Sequence, residues 1–218
     1  KAFLLENVPG LLDMKETFKI IVTALEECGY DVTWEVVSAR GLTATGRIRL
    51  YLVGLRKEEC EDCDGRIGKH NFEFPFVPDL QLTCGDVLEY DNLPPSELEI
   101  LRLADSTFDQ LLNKRRWRPS KLAWPNTVGD TLTSHYGNSV GRGESQLVPC
   151  KAPYLPRRFS VREMARMMGF PNSYEFLPPR PNQSPMAYRK ESYRMIGNAV
   201  CPPLIAALAS AVLDRCPD

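Results

Sequence analysis

The order of elements in the first 56 residues constrains the fold more than any other feature. Phe3, Leu4 and Leu5 read as the end of a buried strand, and Pro9-Gly10 marks a turn. Over residues 13–28, Phe18, Ile21, Val22 and Leu25 recur at three- and four-residue spacing. That predicts a helix, with Asp13 as its N-cap and Gly29 as its C-cap. "YDVTWEVVSA" (30–39) is rich in β-branched residues and alternates, so it reads as a strand. "RLYLVGLR" (49–56) is another, after a Gly-bearing loop at 41–46. Strand, helix, strand, loop, strand is an α/β order. One residue is out of place in it. Glu6 follows the apolar run at once, and an acid at the end of a buried strand is costly.

Beyond Arg56 the texture changes. Residues 57–156 are polar and dotted with proline, and read as an inserted second domain. Within them a single helix is predicted over 96–113, with Pro95 or Ser96 at its start, and "DTLTSHYG" (130–137) has small β-compatible residues ending at Gly137. "NSVGRGES" (138–145) reads as an exposed loop. Order returns at Arg157. In "SVREMARMMGF" (160–170), Ser160 and Glu163 have the spacing of a capping box, the Met164, Met167 and Met168 side faces the core, and Gly169 ends the helix. Residues 177–185 form a Pro-rich loop. "MIGNAVCPPLIAALASAVLDRC" (195–216) then predicts a tight Gly-Asn turn and a helix beginning near Pro202 or Pro203, apolar nearly all round and therefore buried.

The chain of 218 residues can bury one sizeable core or two small ones. No run approaches the roughly 20 apolar residues of a membrane span. The net charge of −1 conceals a division. Residues 1–113 carry 11 Lys/Arg against 21 Asp/Glu, whereas residues 114–218 carry 16 against 7. The basic half has clusters at Lys114-Arg115-Arg116-Trp117-Arg118 and at Arg157-Arg158, which can neutralise phosphates or form a solvated face. Seven cysteines fit reduced intracellular thiols. Cys60 and Cys63 have the spacing of half a zinc site, with His70 and Cys84 as possible further ligands. No second Cys-x-x-Cys completes it, so the segment reads as a loop of free thiols and no metal is expected.

Four stretches in fixed order carry a resemblance: "ENVPGLL" (6–12), "TGRIRLYLVG" (45–54), "RRFSVREMARMMGFP" (157–171) and "YRMIGNAVCPPL" (193–204). Together they resemble the C-terminal half of cytosine-5 DNA methyltransferases, closely at both ends of the chain and in the middle only at "DTLTSHYG". The resemblance implies an α/β fold: part of a Rossmann-like, S-adenosylmethionine-dependent methyltransferase core with a small inserted target-recognition domain. It divides the chain into a catalytic part at 1–56, the recognition domain at 57–156, and a bracing helix with a return to the core at 157–218.

The family's chemistry accounts for the residue types. A Cys thiolate attacks carbon 6 of cytosine, carbon 5 takes the methyl group of S-adenosylmethionine, and a base removes the carbon-5 proton. The first attack pushes charge toward ring N3, where a positioned acid must meet it. The resemblance assigns that acid to Glu6, which gives the strand-end carboxylate its task. It assigns to Arg49 the holding of the cytosine carbonyl and of Glu6, with Arg47 in support. The period of a strand would put both arginines on one face. Thr45 stands where the family has Gln. The cofactor pocket would include Gly197, Asn198 and Val200, and Arg162 and Glu163 would brace the recognition domain. Thr131 and Leu132 would contact the DNA backbone beside a flipped cytosine, and Arg115 and Arg116 would add phosphate contacts.

The family's Pro-Cys-Gln nucleophile segment and its Gly-rich cofactor loop lie N-terminal to Glu-Asn-Val and are not among these residues. Pro149-Cys150-Lys151 is out of order and has Lys for Gln. The expectation is therefore a C-terminal portion, inactive alone and completed by an N-terminal half in cis or as a separate chain; the Lys1 start favours a truncated sequence. The alternatives are a subunit of a split enzyme and a non-catalytic DNA-binding module. DNA is favoured over tRNA because the Cys-Phe-Thr element of tRNA-methylating relatives is absent. Such a protein would be intracellular, nuclear in a eukaryote and cytoplasmic in a bacterium.

Overall fold

The computed structural model describes residues 1–57, 72–113, 121–139 and 146–215. The chain forms two compact units, one of Lys1–Ala39, Ile48–Pro78 and Leu204–Asp218, the other of Arg40–Arg47 and Asp79–Pro203.

In the first unit, strands β1 (Ala2–Asn7), β2 (Tyr30–Ser38) and β3 (Ile48–Arg56) form one sheet in the order β1-β3-β2. Both pairings are antiparallel, with Glu6 opposite Tyr51 and Trp34 opposite Leu52. As the middle strand, β3 must be apolar on both faces, and Leu50 through Val53 are all buried. One face carries Ala2, Leu4, Val53 and Leu55 against Phe72, Phe74, Ala211 and Val212. On the other, the Phe18 ring of helix α1 (Lys15–Glu27) meets Trp34 edge-on at 5.1 Å. Gly29 closes α1 in the left-handed region, φ 87°, as its C-cap role requires. Asp13 is not the N-cap. The chain first makes a 3-10 turn over Pro9–Asp13, in which the Met14 amide donates to the Leu11 carbonyl, so Met14 occupies the cap position without a side-chain bond.

The second unit contains helices α2 (Cys84–Val87), α3 (Pro95–Leu101), α4 (Asp105–Asn113), α5 (Tyr136–Ser139), α6 (Val161–Met167) and α7 (Pro185–Asn198). The helix expected over 96–113 is thus two. The Leu103 amide donates to the Pro156 carbonyl, the Arg158 amide to that of Leu101, and Arg102 pairs with Arg157 in a β-bridge. These long-range bonds compete successfully with helix propagation at Arg102. "DTLTSHYG" is not a strand either: the Asp130 and Leu132 carbonyls accept from the side chains of Thr45 and Arg47, and Tyr136 and Gly137 open α5. Helix α7 was not anticipated, although Ser184 caps it by accepting from the Ala187 amide and Pro185 takes its first position. Gly197 and Asn198 accordingly end a helix rather than make a tight turn.

Around α6 the core holds Met164, Ala165, Met167 and Met168, all fully buried. The capping box forms as expected: the Glu163 amide donates to Ser160 Oγ and the Ser160 amide to Glu163 Oε2. Gly169 ends the helix with φ 84°. Satellite clusters gather Leu103, Leu111, Leu122 and Leu147, and Leu93, Leu98 and Leu101.

The last helix, α8 (Pro202–Leu213), buries only the i, i+4, i+8 row of Leu204, Leu208 and Val212 and leaves Leu213 exposed, so it is one-sided rather than buried all round. By length and composition Pro185–Leu213 would suffice to cross a bilayer. The break between α7 and α8 and the buried row on α8 fit core helices instead.

Candidate functional site

The first unit places an acid beside an arginine. Alternation along β1 puts Ala2, Leu4 and Glu6 on one face, so Glu6 is the next side chain in the row that packs the core. Its opposite residue is Tyr51, and Arg49, two positions along β3, is its diagonal neighbour on that face. The geometry is realised: Arg49 Nε lies 3.1 Å from Glu6 Oε1, with the side chains 15% and 21% exposed. A carboxylate so placed is oriented by the guanidinium and remains partly exposed. Asn7 Oδ1 accepts from the Val8 amide at 2.8 Å and fixes the chain's turn after the acid.

The second unit joins three motifs that are far apart in sequence. The segment before β3 pairs with the start of the Thr-Leu element: Gly46 donates to the Gly129 carbonyl at 2.8 Å and Gly129 to the Ala44 carbonyl at 2.7 Å. Thr45, the departure from the family pattern, is fully buried, and its hydroxyl donates to the Asp130 carbonyl at 2.7 Å. Thr131 Oγ1 donates to the Gly46 carbonyl at 3.3 Å, and Leu132 is buried. Arg47 then spans two motifs, donating from Nη1 to the Leu132 carbonyl at 3.4 Å and the Gly197 carbonyl at 3.3 Å. Arg47 precedes β3, so the strand alternation invoked for it and Arg49 does not extend to it. Gly197 is required by space: a Cβ there would overlap the backbone of Thr133 and Ser134.

Asn198 and Val200 flank the break between α7 and α8. The Asn198 side chain is exposed and makes no hydrogen bond among the described residues, and Val200 is half-buried. An uncommitted amide next to an apolar side chain suits a ligand with both polar and apolar parts.

Arg157 belongs to the scaffold. It is buried and paired in fork fashion with Glu163, Nη1 to Oε2 and Nη2 to Oε1, both at 2.8 Å. Burial pulls its pKa down, but the hydrogen bonds and charge of Glu163 outweigh that and hold it above the ordinary value. Of the two readings open for the Arg157-Arg158 cluster, phosphate contact and a solvated face, neither applies to Arg157. Arg162 stacks over the Phe176 ring at 4.8 Å. Burial raises the Cys150 thiol, the reverse of an activated nucleophile. Arg115, Arg116, Cys60, Cys63 and His70 lie outside the described residues, and among the described residues no group of side chains could hold a metal ion.

Sequence reasoning missed the Arg47 clamp and the Arg157–Glu163 fork. For the fork there was a signal: Glu163 sits at the third position of a helix, six residues after Arg157.

Comparison with known proteins agrees with this set of motifs. The model of the C-5 cytosine-specific DNA methylase family matches residues 1–214. The Type II methyltransferase M.BsuFI of Bacillus subtilis is 30% identical, over 99% of this chain and 48% of its own length. M.SsoII of Shigella sonnei is 29% identical, over 98% and 53%. The chain thus spans about half the length of these relatives. The crystal structure of the Dnmt2 methyltransferase of S. pombe shares the fold, with a TM-score of 0.68 and 20% identity over 98% of this chain and 66% of that one.

Proposed function

Because the chain belongs to the C-5 cytosine-specific DNA methylase family, we propose that it is the C-terminal portion of a DNA (cytosine-5-)-methyltransferase, carrying the acid that protonates the base and the element that grips the DNA. The Glu6–Arg49 pair at 3.1 Å is the observation that supports this most. A fold needs no such pair at a strand end, whereas base activation needs an oriented acid.

Each residue then has a task. Glu6 donates a proton to ring N3 as a thiolate adds to carbon 6, so that the negative charge of the adduct is met where it develops. Arg49 orients Glu6 and donates to the cytosine carbonyl. Thr131 and Leu132 hold the backbone beside the flipped nucleotide, which must leave the stack for carbon 6 to be reached. Arg47 is a positioning residue: by holding the Leu132 and Gly197 carbonyls it fixes the recognition element against the Gly-Asn end of α7. Asn198 and Val200 would contact S-adenosylmethionine, which supplies the methyl group. The Cys nucleophile and the rest of the cofactor site would come from an N-terminal half, in cis or as a separate chain. The half-length match to M.BsuFI and M.SsoII supports that division. A DNA substrate implies an intracellular location.

The test combines this chain with an N-terminal half, a DNA substrate and labelled S-adenosylmethionine. Glu6→Gln should lower methyl transfer by about 100-fold or more, the contribution of a general acid. Transfer by the Gln variant at the parent rate would remove Glu6 from the chemistry.

A further inference from the structure

The second unit contains a cavity that the methyltransferase reading does not use. Its volume is about 440 Å³, and Arg158, Arg189 and Lys190 line it together with Ser184, Met186 and Tyr193. No acidic residue is among its described lining. The fold does not consume these cations. Arg158 and Lys190 have no hydrogen-bonded or ion-paired side-chain partner among the described residues, in contrast to the adjacent Arg157. Among the described residues Arg189 donates to the Ile100 carbonyl at 3.4 Å, and it lines the neighbouring cavity together with Glu97. The carboxylate of α7, Glu191, is held by Arg180 at 2.7 Å and Gln183 at 2.8 Å.

Three cations gathered around one hollow repel one another. Tyr193 forms the buried wall of this otherwise open hollow, and an anion entering it would be attracted by all three cations at once. The first turn of α7, which borders the cavity, has no acidic residue to complement its positive end. A ligand bearing a phosphoryl group relieves all of these at once, and the hollow lies within the size range of small-ligand sites.

We propose that this cavity binds a phosphoryl group through Arg158, Arg189 and Lys190, supplied either by a DNA backbone or by a free nucleotide. The variant Arg158→Gln/Lys190→Gln tests it against a control of equal charge loss, Lys15→Gln/Lys19→Gln on α1. Both are first shown to share the parent's urea midpoint. Should the double variant not fold, Lys190→Glu, at an exposed position, takes its place. In one arm, duplex DNA binding is followed by anisotropy between about 50 and about 200 mM salt; in the other, pyrophosphate and ADP binding by calorimetry. If the source is DNA, the slope of log K against log salt falls by about 0.9 per lost phosphate contact, about 2 for the pair, and the control keeps the parent slope. If it is a nucleotide, pyrophosphate and ADP binding is lost in the test variant alone while the DNA slope holds. The proposal is overturned if the variant and the control behave alike in both arms.

Discussion

Replacing Glu163 by Gln should destabilise the second unit more than any other single isosteric change there. The Glu163 carboxylate accepts four hydrogen bonds, each at 2.8 Å: two from Arg157, one from the Glu89 amide and one from the Ser160 amide. All four partners are donors. An amide in this place keeps one oxygen and turns its NH₂ group toward two of them. The substitution therefore loses two bonds, sets donor against donor and leaves Arg157 buried without a counter-charge. Breaking a buried pair in this way costs about 3–5 kcal/mol. With a urea dependence of roughly 2–3 kcal/mol per M, the midpoint should fall by about 1–2.5 M. The companion variant Arg157→Met/Glu163→Leu sharpens the reasoning. Many buried pairs can be replaced by apolar residues at no cost. Here the Glu89 and Ser160 amides would lose their acceptor, at about 1–3 kcal/mol each, so the double variant should be less damaged than the sum of the singles yet still less stable than the parent. Urea denaturation followed by tyrosine and tryptophan fluorescence reads both. A Glu163→Gln protein within about 1 kcal/mol of the parent would refute the assignment of this carboxylate as a four-bond acceptor.

Gly197→Ala places a methyl group against the Thr133–Ser134 backbone, which cannot rotate away as a side chain can, so a loss of about 1–3 kcal/mol is expected on urea denaturation. An unchanged midpoint would mean that the end of α7 and the recognition element are not packed as described. Alkaline pH gives an independent check. Burial, the largest cause, pushes the Tyr136 and Tyr193 hydroxyls well above the ordinary tyrosine value. Unfolded tyrosines release protons near pH 10, so the stability these two contribute is complete below about pH 10 and declines above it, by up to about 2.7 kcal/mol per pH unit. Midpoints that stay level between about pH 9 and about pH 11 would contradict the burial of both hydroxyls.

What could be read in the sequence was set by the range of the interactions involved. The Ser160–Glu163 box, the left-handed Gly29 and Gly169 and the apolar runs of β1–β3 depend on neighbours a few residues away, and each forms as the local pattern implies, except that β1 is a half-buried edge strand with Leu5 exposed and not the buried strand its apolar run suggests. The break at Arg102 depends on Pro156 and Arg157, more than 50 residues on, and no local signal opposes the helix there. Glu6 lies between these cases. The motif identified the residue, but its pairing with Arg49 follows only from the β1–β3 register.

Charge was the property least legible in one dimension. Arg157 and Arg158 are adjacent, identical and part of the same basic cluster. Successive side chains on an extended segment point in opposite directions. One arginine therefore turns inward to Glu163, where its charge is spent on holding α6, and the other turns toward the cavity beside α7, where nothing in the described fold neutralises it. A count of basic residues treats the two alike. Burial separates them, and it separates the predictions as well: neutralising Arg157 should lower stability, and neutralising Arg158 should lower affinity for phosphate and leave stability unchanged.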